Sequence, residues 1–294
     1  MSPNNNLKGA MLTAVGILIL SPDILLLRLI GADLWTLLFW RGLLCAIGML
    51  GIILVIGSRE GIRRLITIRK PEIQIISVNA VMHIFFVLAV QETSAANTLV
   101  IMSISPLFGA ILSVLVLREK VANRTWYAST AVFIGLAIIF SQSLVGGTII
   151  GDASALLVSI LLATNFVLLR RYRSISMIPA VGWSMFVTAL IAWPLATPMS
   201  MTGLSWVFMI LLGLAILPIS TALITLGPRY LPAPEVGLIM LVEPILGPLW
   251  VWLVIDEFPS IETLIGGATI LITLTILSIR TITQNKNTVQ NKLQ

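Results

Sequence analysis

The sequence predicts an all-α membrane protein in which ten transmembrane helices form two five-helix repeats of opposite orientation. Three observations predict this fold class. The 294 residues are 58% hydrophobic and only 10% charged, with a mean hydropathy of +1.05, whereas a soluble domain is about half apolar and about a quarter charged. Apolar runs long enough to cross a bilayer follow one another along the chain, and the two halves share matched proline, glycine and charged positions.

The span count comes from the apolar runs. A transmembrane helix needs about 20 mainly apolar residues, and runs of this kind, interrupted by charges, glycine and proline, predict ten helices. They cover approximately residues 9–30, 34–57, 71–91, 93–117, 122–141, 151–169, 178–197, 203–226, 232–255 and 260–280. The first run is preceded by only one charge, Lys8, and ends in "SPD" without a cleavage site, so we expect a retained span and not a signal peptide.

The orientation follows from the basic residues, which concentrate in alternate loops. The basic loops and the region after the last span hold Arg59, Arg63, Arg64, Arg69, Lys70, Arg118, Lys120, Arg124, Arg170, Arg171, Arg173, Arg229, Arg280, Lys286 and Lys292. The other loops carry Glu92, Asp152, Asp256, Glu257 and Glu262. Because basic loops stay in the cytoplasm, both termini are predicted to be cytoplasmic. The same distribution explains the net charge of +6 without a nucleic-acid partner.

An internal repeat is visible in two pairs of segments. "SISPLFGAILSVLVLRE" (103–119) aligns with "LVEPILGPLWVWLVIDE" (241–257), and "PDILLLR" (22–28) aligns with "TNFVLLR" (164–170). At an offset of 138 residues the matched pairs are Pro106 with Pro244, Gly109 with Gly247, and Glu119 with Glu257. At an offset of 142 they are Asp23 with Asn165, Arg28 with Arg170, and Gly9 with Gly151. Chance similarity between apolar helices is the alternative interpretation.

Each repeat contains five spans, an odd number, so the second repeat enters the membrane from the opposite side. We therefore expect a first repeat over residues 1–145, a second over 146–282 and a disordered cytoplasmic tail over 283–294. Inverted repeats are typical of secondary transporters, and paired proline-interrupted spans in matching positions indicate the binding site. Spans 4 and 9 are that pair. Three prolines are predicted to break or hinge helices: Pro22, Pro106 and Pro244.

Two polar side chains lie near the middle of apolar spans. Glu243 is near the centre of span 9, and His83, the only histidine, is at a similar depth in span 3. Ionisable groups at this depth are costly and are functional candidates by default; histidine also titrates near neutral pH. The alternatives are a structural carboxyl bonded to a neighbouring helix and a histidine that only packs. No second histidine or cysteine stands at ligand spacing, so neither a metal nor a cofactor is expected.

Asp23 in span 1 and Arg41 in span 2 have similar depths, so an ion pair between antiparallel neighbours would make both tolerable. Alternatively, Asp23 faces a central cavity, which Asn165, its repeat partner, would line from the second half. Ser105, aligned with Glu243, is a candidate at the same site. The predicted substrate-binding set is thus Glu243, His83, Asp23, Asn165 and Ser105. Arg41, Glu119 and Glu257 are predicted to form ion pairs or gates.

The residues favour a secondary transporter that works by alternating access through a cavity between spans 1, 3, 4, 6, 8 and 9. No nucleotide-binding loop is present, so ATP is not its direct energy source. The expected partners are a small-molecule substrate, the lipid bilayer and, for a coupled carrier, protons. A lipid-handling protein or a membrane enzyme is the competing class, although an enzyme needs a clustered nucleophile and base or metal ligands, and this chain has one His, one Cys and scattered carboxylates.

The ten spans, the opening stretch "GAMLTAVGILILSPDILLLRLIGADLWTLLFWRGLL" and the "P…G……E" pattern that closes spans 4 and 9 resemble the EamA type of the drug/metabolite transporter superfamily. The resemblance covers nearly the whole chain. It implies a bacterial inner-membrane carrier for small metabolites, often an exporter. A carboxylate and a histidine at depth suit an amine, a zwitterion such as an amino acid, or proton exchange, and the residues alone leave these open.

Overall fold

The computed structural model describes residues 3–56, 59–117, 130–132, 134–139, 141, 148–231, 233–273 and 275–276. Within these ranges the chain is almost entirely helical and contains no β-strand. The helices are α1 Pro3–Leu20, α2 Asp23–Ile30, α3 Leu34–Ile56, α4 Arg59–Ile66, α5 Lys70–Glu92, α6 Ala95–Met102, α7 Ser105–Leu117, α8 Thr130–Ile139, α9 Ile149–Arg171, α10 Ile178–Ala192, α11 Leu204–Ile210, α12 Leu217–Tyr230, α13 Ala233–Met240, α14 Glu243–Ile255 and α15 Ile261–Thr273. A 3₁₀ turn, Trp193–Leu195, follows α10, and a π-helical segment, Leu211–Ile216, joins α11 to α12.

Seven helical stretches are long and apolar enough to cross a membrane. They are Leu7–Ile30, Leu34–Val55, Lys70–Glu92, Ala95–Val116, Ile149–Arg171, Ile178–Leu195 and Leu204–Tyr230. Where the sequence predicts spans 5, 9 and 10, the described residues contain the shorter apolar helices α8, α14 and α15. The chain is therefore a multi-pass membrane protein. Glu119 and the predicted tail 283–294 lie outside the described residues.

Three of the predicted spans are broken helices. The breaks fall between α1 and α2, between α6 and α7, and between α13 and α14, at Ser21–Pro22, Ser103–Ile104 and Leu241–Val242. Pro22 lies within the first break, and Pro106 and Pro244 are the second residues of α7 and α14. Proline has no N–H to donate, and this loss costs least at the start of a helix. The position aligned with Pro22 in the second half is Thr164, and α9 runs through it without interruption.

Helix packing follows a pattern that two related halves would produce. Helix α5 packs along α9, α1 packs along α12, and α3 packs along α10. The matched glycines lie at equivalent crossings. A Cβ at Gly9 in α1 would lie 2.7 Å from Cβ of Tyr230 at the end of α12, and one at Gly151 in α9 would lie 2.7 Å from the backbone nitrogen of Thr93 after α5. Glycine therefore allows a close approach at both crossings.

The two ends of the bundle differ in charge. At the basic end, defined by Arg64, Arg170, Arg171 and Arg229, Arg64 pairs with Glu72 at 2.8 Å. The acidic end is defined by Asp152, Asp256 and Glu257 and by the chain around Thr93. The loops predicted to be cytoplasmic meet at the basic end: the Tyr172 hydroxyl donates to Gln74 at 2.8 Å, and Arg229 donates to the carbonyl of Arg173 at 3.2 Å.

The buried core lies between the helices, and the outward faces are apolar. Large side chains with almost no exposure include Ile17, Leu37, Met49, Ile75, Leu99, Ile101, Ile104, Leu107, Ile139 and Met185. Large aliphatic side chains such as Val55, Leu115 and Leu253 remain exposed on the outer surface. An apolar outer surface of this kind suits contact with lipid, since every backbone polar group of a spanning helix is bonded within the helix.

Candidate substrate-binding cavity

A cavity of about 100 Å³ lies at the centre of the bundle, where the broken helices meet. It is lined by Leu20, Asp23, Arg41, Asn79, Met82, His83, Phe86, Met102, Val158, Leu162, Asn165, Phe166, Leu169, Val181, Leu217, Thr221, Ile224, Thr225, Met240 and Glu243. These residues belong to predicted spans 1, 3, 4, 6, 8 and 9, together with Arg41 from span 2 and Val181 from span 7. Most of the lining is apolar, and the polar groups are few.

Helix ends bring backbone polarity to the cavity. Leu20, Met102 and Met240 are the last residues of α1, α6 and α13, while Asp23 and Glu243 are the first residues of α2 and α14. Both carboxylates therefore sit at the positive ends of helix dipoles. Four residues after Met102 and Met240 the chain has proline, so the carbonyls of these two methionines receive no regular helical hydrogen bond.

Asp23 and Arg41 form an ion pair on the cavity wall. Nη2 of Arg41 donates to Oδ2 of Asp23 at 2.6 Å, and the two residues are only 3% and 4% exposed. The guanidinium also lies over the ring of Phe86, 4.9 Å from its centroid, which adds a cation–π contact. Each charge is thus balanced by its partner, and removing either one would leave an uncompensated charge in an apolar interior.

The ion pair uses only part of the hydrogen-bonding capacity of these groups. Oδ1 of Asp23, Nε and Nη1 of Arg41, and Nε2 of His83 are buried and have no hydrogen-bond partner among the described residues. Buried polar atoms are almost always bonded to protein or to ordered water. Unpartnered donors and acceptors on the wall of a cavity are therefore free to bind a solute or water.

Glu243 adds a second carboxylate. It is 6% exposed and lines both the central cavity and a small adjoining cavity of about 20 Å³. Across the part of the chain that the structure describes, no side chain donates a hydrogen bond to its carboxylate. Ser105 lines only the adjoining cavity, as do Pro106 and Pro244.

Asn165 has a defined hydrogen-bond partner on the neighbouring helix α5. Its Oδ1 accepts a hydrogen bond of 2.9 Å from Nδ2 of Asn79, which also donates to the carbonyl of Ile75. The pair links α5 to α9. Among the predicted substrate-binding residues, the structure thus brings Asp23, His83, Asn165 and Glu243 to one cavity and places Ser105 beside it.

The remaining predicted residues lie elsewhere. Glu257 is at the acidic end, where its Oε2 is 3.4 Å from Nε of Arg28 and its Oε1 accepts from the backbone nitrogen of Ala95 at 2.8 Å. Arg28 also donates to the carbonyl of Thr93 at 2.7 Å. These contacts tie α2, the start of α6 and the end of α14 together. Pro22 precedes α2 at its break and does not line the cavity.

Outside the membrane-spanning segments, Asp33 anchors the start of α3. Its Oδ1 accepts from the backbone nitrogens of Trp35 and Thr36, both at 3.0 Å, and its Oδ2 accepts from the Thr197 hydroxyl at 3.2 Å. Partial burial alone would raise the pKa of Asp33, but the hydrogen bonds from Thr36, Thr197 and Trp35 together lower it below its ordinary value.

Several lining residues were not predicted from the sequence. Asn79, Phe86, Phe166, Thr221 and Thr225 line the cavity, yet each looks ordinary inside its own span. The repeat offset could have identified some of them. Five pairs of lining residues stand 138 positions apart: Leu20 and Val158, Asn79 and Leu217, His83 and Thr221, Phe86 and Ile224, and Met102 and Met240. Where the described part of the chain was searched, no group of three or more His, Cys, Asp or Glu side chains could hold a metal ion.

Comparison with known proteins identifies the class of this fold. The EamA-like transporter family model matches the chain twice, over residues 7–141 and 149–279. The chain therefore belongs to the EamA-like transporter family, whose members are membrane transporters of the drug/metabolite type. A solved crystal structure shares the fold, with a TM-score of 0.69 and 16% sequence identity over 92% of this chain and 98% of that one. Comparison with curated proteins gave no match.

Proposed function

We propose that this chain is a secondary transporter that exports a small zwitterion, an amino acid or a related amine, across a bacterial inner membrane by alternating access. The single observation that carries the proposal is the set of unpartnered buried polar atoms around the central cavity. A cavity formed where helices break is the usual place for a transporter's substrate. The similarity of the sequence to the aromatic amino-acid exporter YddG belongs to the same proposal.

The chemistry of the cavity fits both ends of a zwitterion. Nε and Nη1 of Arg41 are unpartnered donors, and one of them can donate to a carboxylate together with the second N–H of Nη2, the paired geometry in which arginine binds such groups most strongly. Oδ1 of Asp23 and the carboxylate of Glu243 can accept from an ammonium group. Because Nη2 of Arg41 is already bonded to Asp23, the arginine would hold the solute while its own charge stays paired. The apolar lining, which includes Phe86 and Phe166, suits an apolar substituent.

The proposed inverted repeat explains how such a site could open to either side. Cavity-lining residues come in pairs at the offset of the repeat, and the packing of α5 on α9 resembles the packing of α1 on α12. Two repeats of five spans each, 1–145 and 146–282, would contribute equivalent halves of the cavity. Exchange of the two halves between equivalent conformations would then move the opening from one side to the other. The ten-span count, including spans 5 and 10, is part of this proposal.

Side-chain contacts hold the acidic end together in this structure. Arg28, Glu257, Thr93 and Ala95 connect three chain segments there, and the Gln91 side chain donates to the carbonyl of Ala32 at 2.9 Å. We name these contacts the outer clasp. With the basic end in the cytoplasm, as the positive-inside rule proposes, an exporter would load with this clasp closed and release its substrate when the clasp opens.

The orientation is tested with cysteine labelling. Cys45 is buried, so it should not react with an impermeant maleimide. In intact cells, single cysteines placed at Arg64 and Arg171 should be protected, and they should react in inverted vesicles. Labelling of either position from outside intact cells would reverse the proposed orientation.

Transport is tested in proteoliposomes, with solutes that differ only in their charged groups. Leucine, isoamylamine and 4-methylpentanoate share a carbon skeleton but present a zwitterion, a cation and an anion. We expect accumulation or counterflow of the zwitterion without chemical change. Uptake of the amine alone would keep the transporter and remove the role of Arg41, whereas no transport of any amino acid or amine would overturn the proposal.

Substitution of Glu243 tests proton coupling. Glu243→Gln keeps the size of the side chain and its hydrogen bonding but removes its titration, so transport or its pH dependence should be lost while the protein still folds. Glu72→Gln is the matched control, because Glu72 is also buried but pairs with Arg64 outside the cavity. Wild-type transport with wild-type pH dependence in Glu243→Gln would make Glu243 a packing residue.

A further inference from the structure

A second concave site lies on the outer surface of the bundle, away from the central cavity. This groove has a volume of about 270 Å³ and runs between α3 and α10, with α4 across one end. Its lining is entirely apolar: Leu43, Ala46, Ile47, Leu50, Ile53, Leu65, Gly182, Trp183 and Phe186. The small residues Ala46 and Gly182 create the depth. Because the groove faces outward from a membrane-spanning helix pair, a lipid chain can reach it.

The length of the groove matches one leaflet. From Leu43 to Ile53, α3 rises about 15 Å at about 1.5 Å per residue. The hydrocarbon core of a bilayer is about 30 Å thick, so one leaflet contributes about 15 Å. The groove begins near the middle of α3 and ends at Leu65 in α4, at the basic end of the bundle. One acyl chain lying along α3 would therefore fill the groove from the bilayer centre to the surface.

Helix α4 gives the surface end of the groove a positive charge. It begins at Arg59, and Ile62 and Ile66 leave apolar side chains exposed, Ile66 by 84%. Such a helix lies in the membrane interface with its apolar side towards the lipid. Trp183 holds it in place by donating from Nε1 to the carbonyl of Leu65 at 3.0 Å. The exposed Arg63 stands two residues before Leu65.

The charge of this region exceeds what pairing within it requires. Residues 59–72 contain five basic and two acidic side chains: Arg59, Arg63, Arg64, Arg69, Lys70, Glu60 and Glu72. Of these, Arg64 and Glu72 bond to each other, while Arg63, Arg69 and Lys70 are exposed. An anionic group at the surface end of the groove would meet this excess positive charge.

We propose that the groove binds an anionic phospholipid of the cytoplasmic leaflet, with one acyl chain between α3 and α10 and the phosphate at the basic residues of α4. The leaflet assignment rests on the orientation given under the proposed function, but the site itself does not. A bound lipid would fasten α4 and α10 to α3. It would therefore stabilise the α3–α10 pair without entering the central cavity.

Native mass spectrometry of the purified chain in detergent tests the site without any transport measurement. Phosphatidylglycerol and phosphatidylcholine with identical acyl chains are supplied at equal concentration, and the retained lipids are counted. We expect preferential retention of phosphatidylglycerol. Arg63→Gln should reduce it about fivefold, the factor expected for one basic residue at a lipid surface. Lys8→Gln is the matched control, because Lys8 lies over Tyr230 on another helix.

The acyl-chain part is tested by filling the groove. Ala46→Leu places a branched side chain in the groove and should abolish retention of phosphatidylglycerol, whereas Ala137→Leu on the exposed side of α8 should leave it unchanged. Thermal unfolding of each variant without added lipid shows whether Ala46→Leu still folds. Equal retention of both lipids, or wild-type retention in folded Ala46→Leu, would overturn the proposal. A dimer that Ala46→Leu dissociates would also overturn it, because a second copy of the chain would then cover the groove.

Discussion

The Asp23–Arg41 pair offers the most informative perturbation of the central cavity. Both side chains are buried, their charged atoms are 2.6 Å apart, and the carboxylate of Asp23 has no other hydrogen-bond partner among the described residues. Removing one partner of a buried pair leaves an unpaired charge and costs about 3–5 kcal/mol, whereas replacing both partners by apolar residues of similar volume is often neutral. We therefore expect Asp23→Leu and Arg41→Met each to lower stability by about this amount, and the double variant to recover most of the loss.

The assay combines a double-mutant cycle with transport. Unfolding in mixed micelles gives the stability of the four proteins, and the coupling energy is the part of the single losses that the double variant recovers. Proteoliposome uptake is then measured on the wild type and the double variant, which are expected to be equally folded. If Arg41 binds a carboxylate and Asp23 an ammonium group, the double variant folds but does not transport a zwitterion.

Two results would refute this reasoning. A double variant that transports like the wild type would show that the pair only balances its own charges. A double variant as unstable as the sum of its parents would show that the two residues do not depend on each other, contrary to the geometry. Asp23→Asn with intact Arg41 gives a further comparison, because Asn keeps one acceptor and removes the charge.

Three further predictions concern packing, pH and gating. Gly151→Ala should lower the thermal stability measured in detergent, because its Cβ would lie 2.7 Å from the backbone of Thr93. Gly109→Ala, whose Cβ would meet nothing within 4 Å, should raise stability by about 0.5–1 kcal/mol. Equal effects of the two substitutions would contradict the packing. Asp33→Ala should lower the free energy of unfolding by about 1 kcal/mol at neutral pH, because the helix cap is lost. Since folding lowers the pKa of Asp33, this stabilisation is present above its ordinary pKa of 3.8 and disappears as the pH falls through the lowered value. A stability difference between wild type and variant that stays the same at acid pH would refute this prediction. Glu257→Gln should open the outer clasp, and a cysteine at Ala95 should then react faster with an impermeant maleimide; an unchanged rate would remove the clasp from gating.

Much of the fold could be predicted because the membrane leaves few alternatives. A chain this apolar must satisfy its backbone within helices, so the long apolar runs give seven full-length helical stretches close to their expected positions. Pro106 and Pro244 stand beside the helix breaks of spans 4 and 9, since a proline N–H is missing from the backbone hydrogen-bond ladder. Span 1 breaks at Pro22, whereas α9 runs without a break through the aligned Thr164, because threonine keeps the N–H that proline lacks.

Other features needed the three-dimensional arrangement. The π-helical segment Leu211–Ile216 has no counterpart in α5, although the two occupy corresponding spans, and its sequence "LLGLAI" is an ordinary apolar run. Asn79 and Thr225 reach the cavity only because α5 and α12 face it from opposite sides. A single-helix pattern cannot show this, because a helix that is apolar all round carries no signal for which side is buried.

The helix break beside Glu243 and Pro244 is not a simple proline kink. Helix α13 ends at Met240 and α14 begins at Glu243, so Pro244 lies in the first turn of a new helix, where its missing N–H costs nothing. The chain thereby gains a helix N-terminus in the middle of the membrane, and its positive end faces the carboxylate of Glu243. The aligned Ser105 begins α7 in the same way without a charge. A carboxylate on one side only gives the cavity a polarity that two identical halves would lack, which suits a solute whose two ends carry opposite charges.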